Sequence, residues 1–132
     1  TEIYTLSRHD ALPILAYEFW SSFEIPAYDE NSVPDDVKYP YITYSVVDDS
    51  IGNVTSPTAS IWYRSSSWAG VEAKKNEVAK RIAEHGFLSL KIDDGYIYLV
   101  KGVPFAQRMV DPSDELVKRM YLNLQAEFLT AY

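Results

Sequence analysis

The chain has 132 residues, a net charge of −7 and no cysteine. That length is one domain, the charge argues against a surface that holds DNA by counterion release, and the missing cysteine excludes disulfides and thiolate metal sites. No apolar run approaches the roughly 20 residues that a bilayer-crossing helix needs.

The opening stretch Tyr4–Ile14 resembles the conceptual translation of a sequencing adapter. Residues 1–13 are therefore set apart as a non-native or loosely docked segment, and residues 14–132 are read as one domain. Ile14–Phe23 is a helix: Leu15, Phe19 and Phe23 recur every four residues, and Pro13 suits a first turn. Ile25–Tyr44 is an extended acidic loop or arm that ends in a strand. Pro26, Pro34 and Pro40 fix φ and lack a donor, which excludes a continuous helix or central strand there. Tyr41–Val47 is rich in β-branched and aromatic residues, as a strand is. From Glu24 to Ser50 seven acidic residues stand against Lys38 alone, so the charge imbalance is local. One reading is a solvated loop; the other is a patch that steers a basic partner or repels a polyanion.

Asp48–Asn53 is a turn cluster, and Thr58–Ser66 is a second strand, antiparallel to the first because only about ten residues join them. Ser67 caps a helix running from about Trp68 to His85, with Val71, Val78 and Ile82 on its inner stripe. Lys74, Lys75, Glu77, Lys80, Arg81 and Glu84 are expected to face water, and Gly86 to end the helix. Leu88–Ile92 and Tyr96–Val100 flank Asp93-Asp94-Gly95, a hairpin signal. Lys101-Gly102 offers another turn before Pro104–Val110, and Asp111–Asp114 is a loop. In the last segment Met120, Leu122, Leu124, Ala126 and Phe128 alternate with Arg119, Tyr121, Asn123, Gln125 and Glu127, giving one core face and one polar face. The order of elements is α+β: a mostly antiparallel, mixed β-sheet flanked by two α-helices.

Chemistry is sparse. Two histidines are poor stock for base or metal work, and His85 at a helix end reads as structural. There is no nucleophile elbow, phosphate loop or dinucleotide fingerprint. The pairs Asp35-Asp36, Asp48-Asp49 and Asp93-Asp94 all sit in expected turns, where aspartate serves local hydrogen bonding. Asp35, Asp36 and Lys38 match a nuclease metal signature poorly, because they are contiguous in one loop. No catalytic residue, cofactor site or metal site is therefore assigned. Trp and Arg are typical hot-spot residues, and Trp62, Arg64 and Trp68 are read either as strand and cap or as one exposed patch.

The resemblance that organises these features rests on Phe19–Phe23, Pro26–Asn31, Val33-Pro34, Tyr39–Tyr44 and Pro104–Arg108. Over residues 14–132 the chain resembles the tail terminator (tail completion) proteins of long-tailed bacteriophages. That resemblance implies a non-enzymatic virion protein without a cofactor. It implies a homo-oligomeric, hexameric ring on the last ring of the tail tube, which stops tube growth and forms the head–tail joining surface. The implied partners are further copies of the chain, the tail tube protein and the head–tail connector protein. DNA passes through the lumen without specific binding, and no membrane is involved. The implied location is the head-proximal end of the tail, after assembly in the host cytoplasm. Tyr28, Asp29, Tyr39, Tyr41, Trp62, Arg64 and Trp68 are the candidate interface residues. The alternatives are another head–tail connector or head-completion subunit, a metal-dependent nuclease using Asp35, Asp36 and Lys38, and a plain binding module.

Overall fold

The structure is a computed structural model that describes residues 8–45, 54–55, 57–84, 90–92 and 95–130, with side chains placed for 13–45, 57–84 and 99–126. Helix α1 spans Arg8–Ser21 and helix α2 spans Ala69–Glu84. The strands are β1 (Ala27–Asp29), β2 (Tyr41–Tyr44), β3 (Val54–Thr55), β4 (Thr58–Arg64), β5 (Leu90–Ile92), β6 (Gly95–Asp111) and β7 (Asp114–Thr130). They form one sheet in the order β1-β2-β4-β7-β6-β5, with β3 also pairing β7. Only β1 and β2 run parallel among the described pairs, so the sheet is mixed and mostly antiparallel, and the α+β class follows.

Alternation along the strands sorts the sheet into two faces. Ala27, Ile42, Tyr44, Ala59, Ile61, Met120, Leu122 and Leu124 point to one face, where they share a single core with Phe19, Trp20 and Phe23 after and within α1 and Val71, Val78 and Ile82 of α2. Both helices therefore lie on the same side of the sheet. The paired positions Ile42↔Ile61 and Ile61↔Met120 carry this layer across three strands.

The second helix does more than cover the sheet. Lys74 and Arg81, expected in water, reach the end of α1. Lys74 Nζ donates to the Phe23 carbonyl at 2.8 Å, and Arg81 donates to the Ser22 carbonyl at 3.3 Å and to its hydroxyl. The Arg81 guanidinium also lies 4.2 Å from the Phe23 ring centroid. The carbonyls that close a helix carry partial negative charge and lack intrahelical donors, so two cations there satisfy both the hydrogen bonds and the dipole. Glu24 follows with φ of 67°, the left-handed geometry that commonly turns a chain out of a helix.

Other expectations need correction. Helix α1 spans Arg8–Ser21 rather than Ile14–Phe23, and Pro13 sits inside it rather than in its first turn. The stretch expected as one long arm is subdivided: Ala27–Asp29 forms an edge strand on β2, and the chain then turns at Asp29–Ser32 and Pro34–Val37. Ser67 Oγ accepts the Ala69 N–H at 3.0 Å, as its capping role requires. The expected turn at 48–53, and His85, Gly86 and Asp93-Asp94, lie outside the described residues. The hairpin around the last of these is present as β5 antiparallel to β6.

Lys101-Gly102 is not a turn between strands. It opens a bulge inside β6, where Gly102–Phe105 oppose Asn123 alone. Asn123 Nδ2 spans the irregularity by donating to the Pro104 carbonyl at 3.1 Å. Gly102 is buried here, and a Cβ at its position would lie 2.9 Å from the Asn123 carbonyl oxygen. Backbone cannot swing aside as a side chain does. Gly102→Ala is expected to destabilise the fold by about 1–3 kcal/mol, read as a lower urea midpoint with an unchanged m-value. A wild-type midpoint would show that the bulge yields freely.

Candidate docking surface

No described helix covers the other face of the sheet. Across it the strand register sets Tyr41 of β2 opposite Trp62 of β4, Trp62 opposite Arg119 of β7, and Arg119 opposite Met109 of β6. A second row joins Tyr28 of β1 to Thr43, Ser60, Tyr121 and Gln107 in the same way. Period-two alternation forces these residues onto the side away from Ile42, Ile61 and Met120.

The rows are ordered by specific contacts. The Tyr41 and Trp62 rings stack with centroids 5.9 Å apart and planes 11° apart. Tyr39 and Tyr28 extend the cluster, at 5.4 Å and 6.3 Å from Tyr41. Trp62 Nε1 donates to Thr43 Oγ1 at 2.9 Å, which fixes the indole in its plane. The Arg119 guanidinium lies 4.7 Å from the Trp62 ring and 5.5 Å from that of Tyr121, and its Nε donates to Ser60 Oγ at 2.9 Å. Cation–π contact and one hydrogen bond thus hold a long, otherwise mobile side chain in a single pose. Burial raises the pKa of Tyr41, the neighbouring Tyr39 adds to the rise and Arg119 opposes it, so the Tyr41 hydroxyl stays neutral at physiological pH and the cluster's charge is that of Arg119.

Beside Arg119 the face is concave. A cleft of about 210 Å³ is lined by Trp62, Met109, Val110, Pro112, Val117 and Arg119, with Asp111 at its wall. The Asp111 carboxylate is engaged locally, accepting the Ser113 hydroxyl at 2.7 Å and its N–H at 2.8 Å, which lowers its pKa. The adjoining outer edge of β6 carries Val103 at 98% and Val110 at 77% exposure. Exposed apolar edge residues beside a bulge and a proline mark an edge that is guarded against sheet growth yet offers contact area.

The seven expected interface residues fall into two groups. Tyr28, Tyr39, Tyr41 and Trp62 meet on the open face. Trp68 does not join them: it packs against the core on the helix side, between Arg108 at 4.9 Å and Lys118 at 5.6 Å. Arg64 lies at the far end of β4, paired with Asp114 at 3.1 Å. Asp29 stabilises the turn after β1, accepting the Asn31 N–H at 2.9 Å. Trp68 is therefore separated by the sheet from Trp62, whereas Arg64 shares the face of Trp62 two residues along β4 and is engaged there by Asp114. Arg119, Tyr121 and Met109 are the residues the sequence reading passed over. The signal was present in the alternation of the last strand, but a polar strand face reads as solvated until its neighbours are known.

On the helix side Arg108 joins Glu72 at 2.9 Å, and Lys75 joins the same carboxylate at 3.0 Å. The hydrogen bond from Lys75 and then that from Arg108 lower the Glu72 pKa. A depressed carboxylate stabilises the fold fully above its unfolded pKa, and that stability is lost as pH falls through the folded value. Arg108→Gln is expected to move the Glu72 pKa back up towards the ordinary glutamate range, followed by the carboxyl carbon shift during an acid titration. An unmoved midpoint would mean that Lys75 alone sets it.

Among the described residues no group of three or more His, Cys, Asp or Glu side chains is placed to hold a metal ion, and Asp35 and Asp36 lie exposed on their loop. Among the described residues no helix is long and apolar enough to cross a membrane. No protein-family model matches the chain, and no curated protein matches it.

Proposed function

We propose that this protein is a structural subunit of a phage tail, a tail terminator. In this reading several copies, six in the complete assembly, close into a ring on the end of the tail tube. The ring stops tube growth and offers its outer side to the head–tail connector. The observation that supports it is the open sheet face, where aromatic residues and one immobilised arginine line up across four strands with no described helix to cover them. Tyr, Trp and Arg at the centre of a preorganised surface are the residue types that carry binding energy between proteins. A ring requires two different patches on each copy and a rotation that closes. Such a subunit works by fit and needs no cofactor, and its acidic loop lies either between subunits or towards the lumen, where negative charge would let DNA pass without sticking.

The test is native mass across a concentration range, followed by tube assembly from purified tube protein with and without this chain. A discrete hexamer and tubes capped at a set length are the expected results. A protein that stays monomeric with tubes present, while the tubes grow unrestrained, would overturn the reading.

A further inference from the structure

We infer that the cleft beside Arg119 is a receptor for the Val33–Val37 turn of a second copy of this chain. The inference rests on the ring-forming reading, and it names the two surfaces that meet.

The receptor is half built. Arg119 spends its Nε on Ser60 and its guanidinium face on Trp62 and Tyr121. Its two terminal nitrogens have no hydrogen-bond acceptor among the described residues. A guanidinium held flat with its fork free suits bidentate carboxylate recognition. Next to that fork lies apolar surface from Met109, Val110, Pro112 and Val117, with Asp111 at the wall. The matching ligand therefore carries a carboxylate flanked by small apolar groups.

The chain carries that ligand itself. In Val33-Pro34-Asp35-Asp36-Val37 the Val37 N–H donates to the Pro34 carbonyl at 3.2 Å, which closes a turn with Asp35 and Asp36 at its two central positions. Both carboxylates are exposed, and neither has a hydrogen bond or ion pair to another described residue. Valines stand on either side of them, so the apolar pattern complements the cleft and the charge complements Arg119, while the Asp111 carboxylate at the wall is held by the Ser113 N–H and hydroxyl. No residue of this turn lines the cleft of its own copy, so the occupant comes from a neighbour. The turn connects β1 and β2 at one end of the sheet order, whereas the cleft lies between β4, β7 and β6. Two unlike patches make the contact heterologous, the kind that closes into a ring.

Charge reversal tests this without touching the core. Asp35→Lys with Asp36→Lys, and separately Arg119→Glu, are expected to shift the native mass from ring to monomer. The three changes in one chain restore opposite charges and are expected to restore the ring. A peptide of residues 28–38 is then titrated into the Asp35→Lys, Asp36→Lys protein, whose cleft is intact but cannot be filled by its own kind. Binding is expected, weakened at least about thirtyfold when Arg119→Gln is added. Variants that keep the wild-type ring would overturn the docking and leave the terminator reading standing. A wild-type protein that stays monomeric even with tubes present would remove the ring reading, and the peptide would then decide alone: absence of Arg119-dependent binding overturns the inference.

Discussion

Phe23→Ala is expected to lower the free energy of unfolding by about 3–5 kcal/mol. Phe23 is fully buried and sits where three elements meet. Its ring packs edge-on to Phe19 with centroids 5.3 Å apart, and at 6.1 Å from Trp20. Arg81 of α2 covers it, while its own carbonyl accepts Lys74. Truncation opens a cavity and also strips the hydrophobic cover from two cations that tie α2 to the end of α1. Urea unfolding followed by tryptophan fluorescence reads the effect, because Trp20 lies against the lost ring. Phe23→Leu, which keeps most of the volume, is expected to cost less than half as much. A loss below about 1 kcal/mol for the alanine would mean that α1 is not docked through this residue.

Trp62→Ala is expected to leave a folded protein that assembles at least about thirtyfold more weakly, the mark of a binding hot spot. The indole holds both neighbours in the row: it stacks on Tyr41 and underlies Arg119. Without it Tyr41 can tilt, the Arg119 guanidinium regains its freedom, and the cleft loses a wall. The core on the opposite side is untouched, since Ile61 and Met120 make their contacts there. Native mass measured beside the far-ultraviolet spectrum separates loss of assembly from loss of fold. Tyr39→Ala, at the exposed margin of the same cluster, is expected to have a smaller effect. Wild-type assembly by Trp62→Ala would place the contact surface elsewhere on the molecule.

These two residues differ in how far the sequence announces them. Phe23 was legible as the end of a four-residue stripe, because helical periodicity is a local property. Trp62 was legible as a surface aromatic on a strand, but its partners were not. Arg119 lies far along the chain, and only the pairing of β4 with β7 sets it beside the indole. Trp68 shows the converse. Its nearness in sequence to Trp62 and Arg64 invited a shared patch, and the sheet puts it on the other side, between Arg108 and Lys118. Lys74 and Arg81 read as solvated because a helix wheel cannot show that a second helix ends against them.

By itself the sequence determined what depends on near neighbours: the strict alternation of β7, the stripe of Val71, Val78 and Ile82, the antiparallel pairing of β5 with β6 and the α+β class. Each of these follows from backbone periods of 2 and 3.6 or from turn chemistry, which act over a few residues. Tertiary structure alone decided that both helices lie on one side of the sheet, that β1 runs parallel to β2, and that β6 bulges at Gly102 rather than turning. It also decided that Tyr41, Trp62, Arg119 and Met109 form one row. Register between strands distant in sequence is settled by which whole face can be buried, and that is a property of the packed sheet, not of any segment within it.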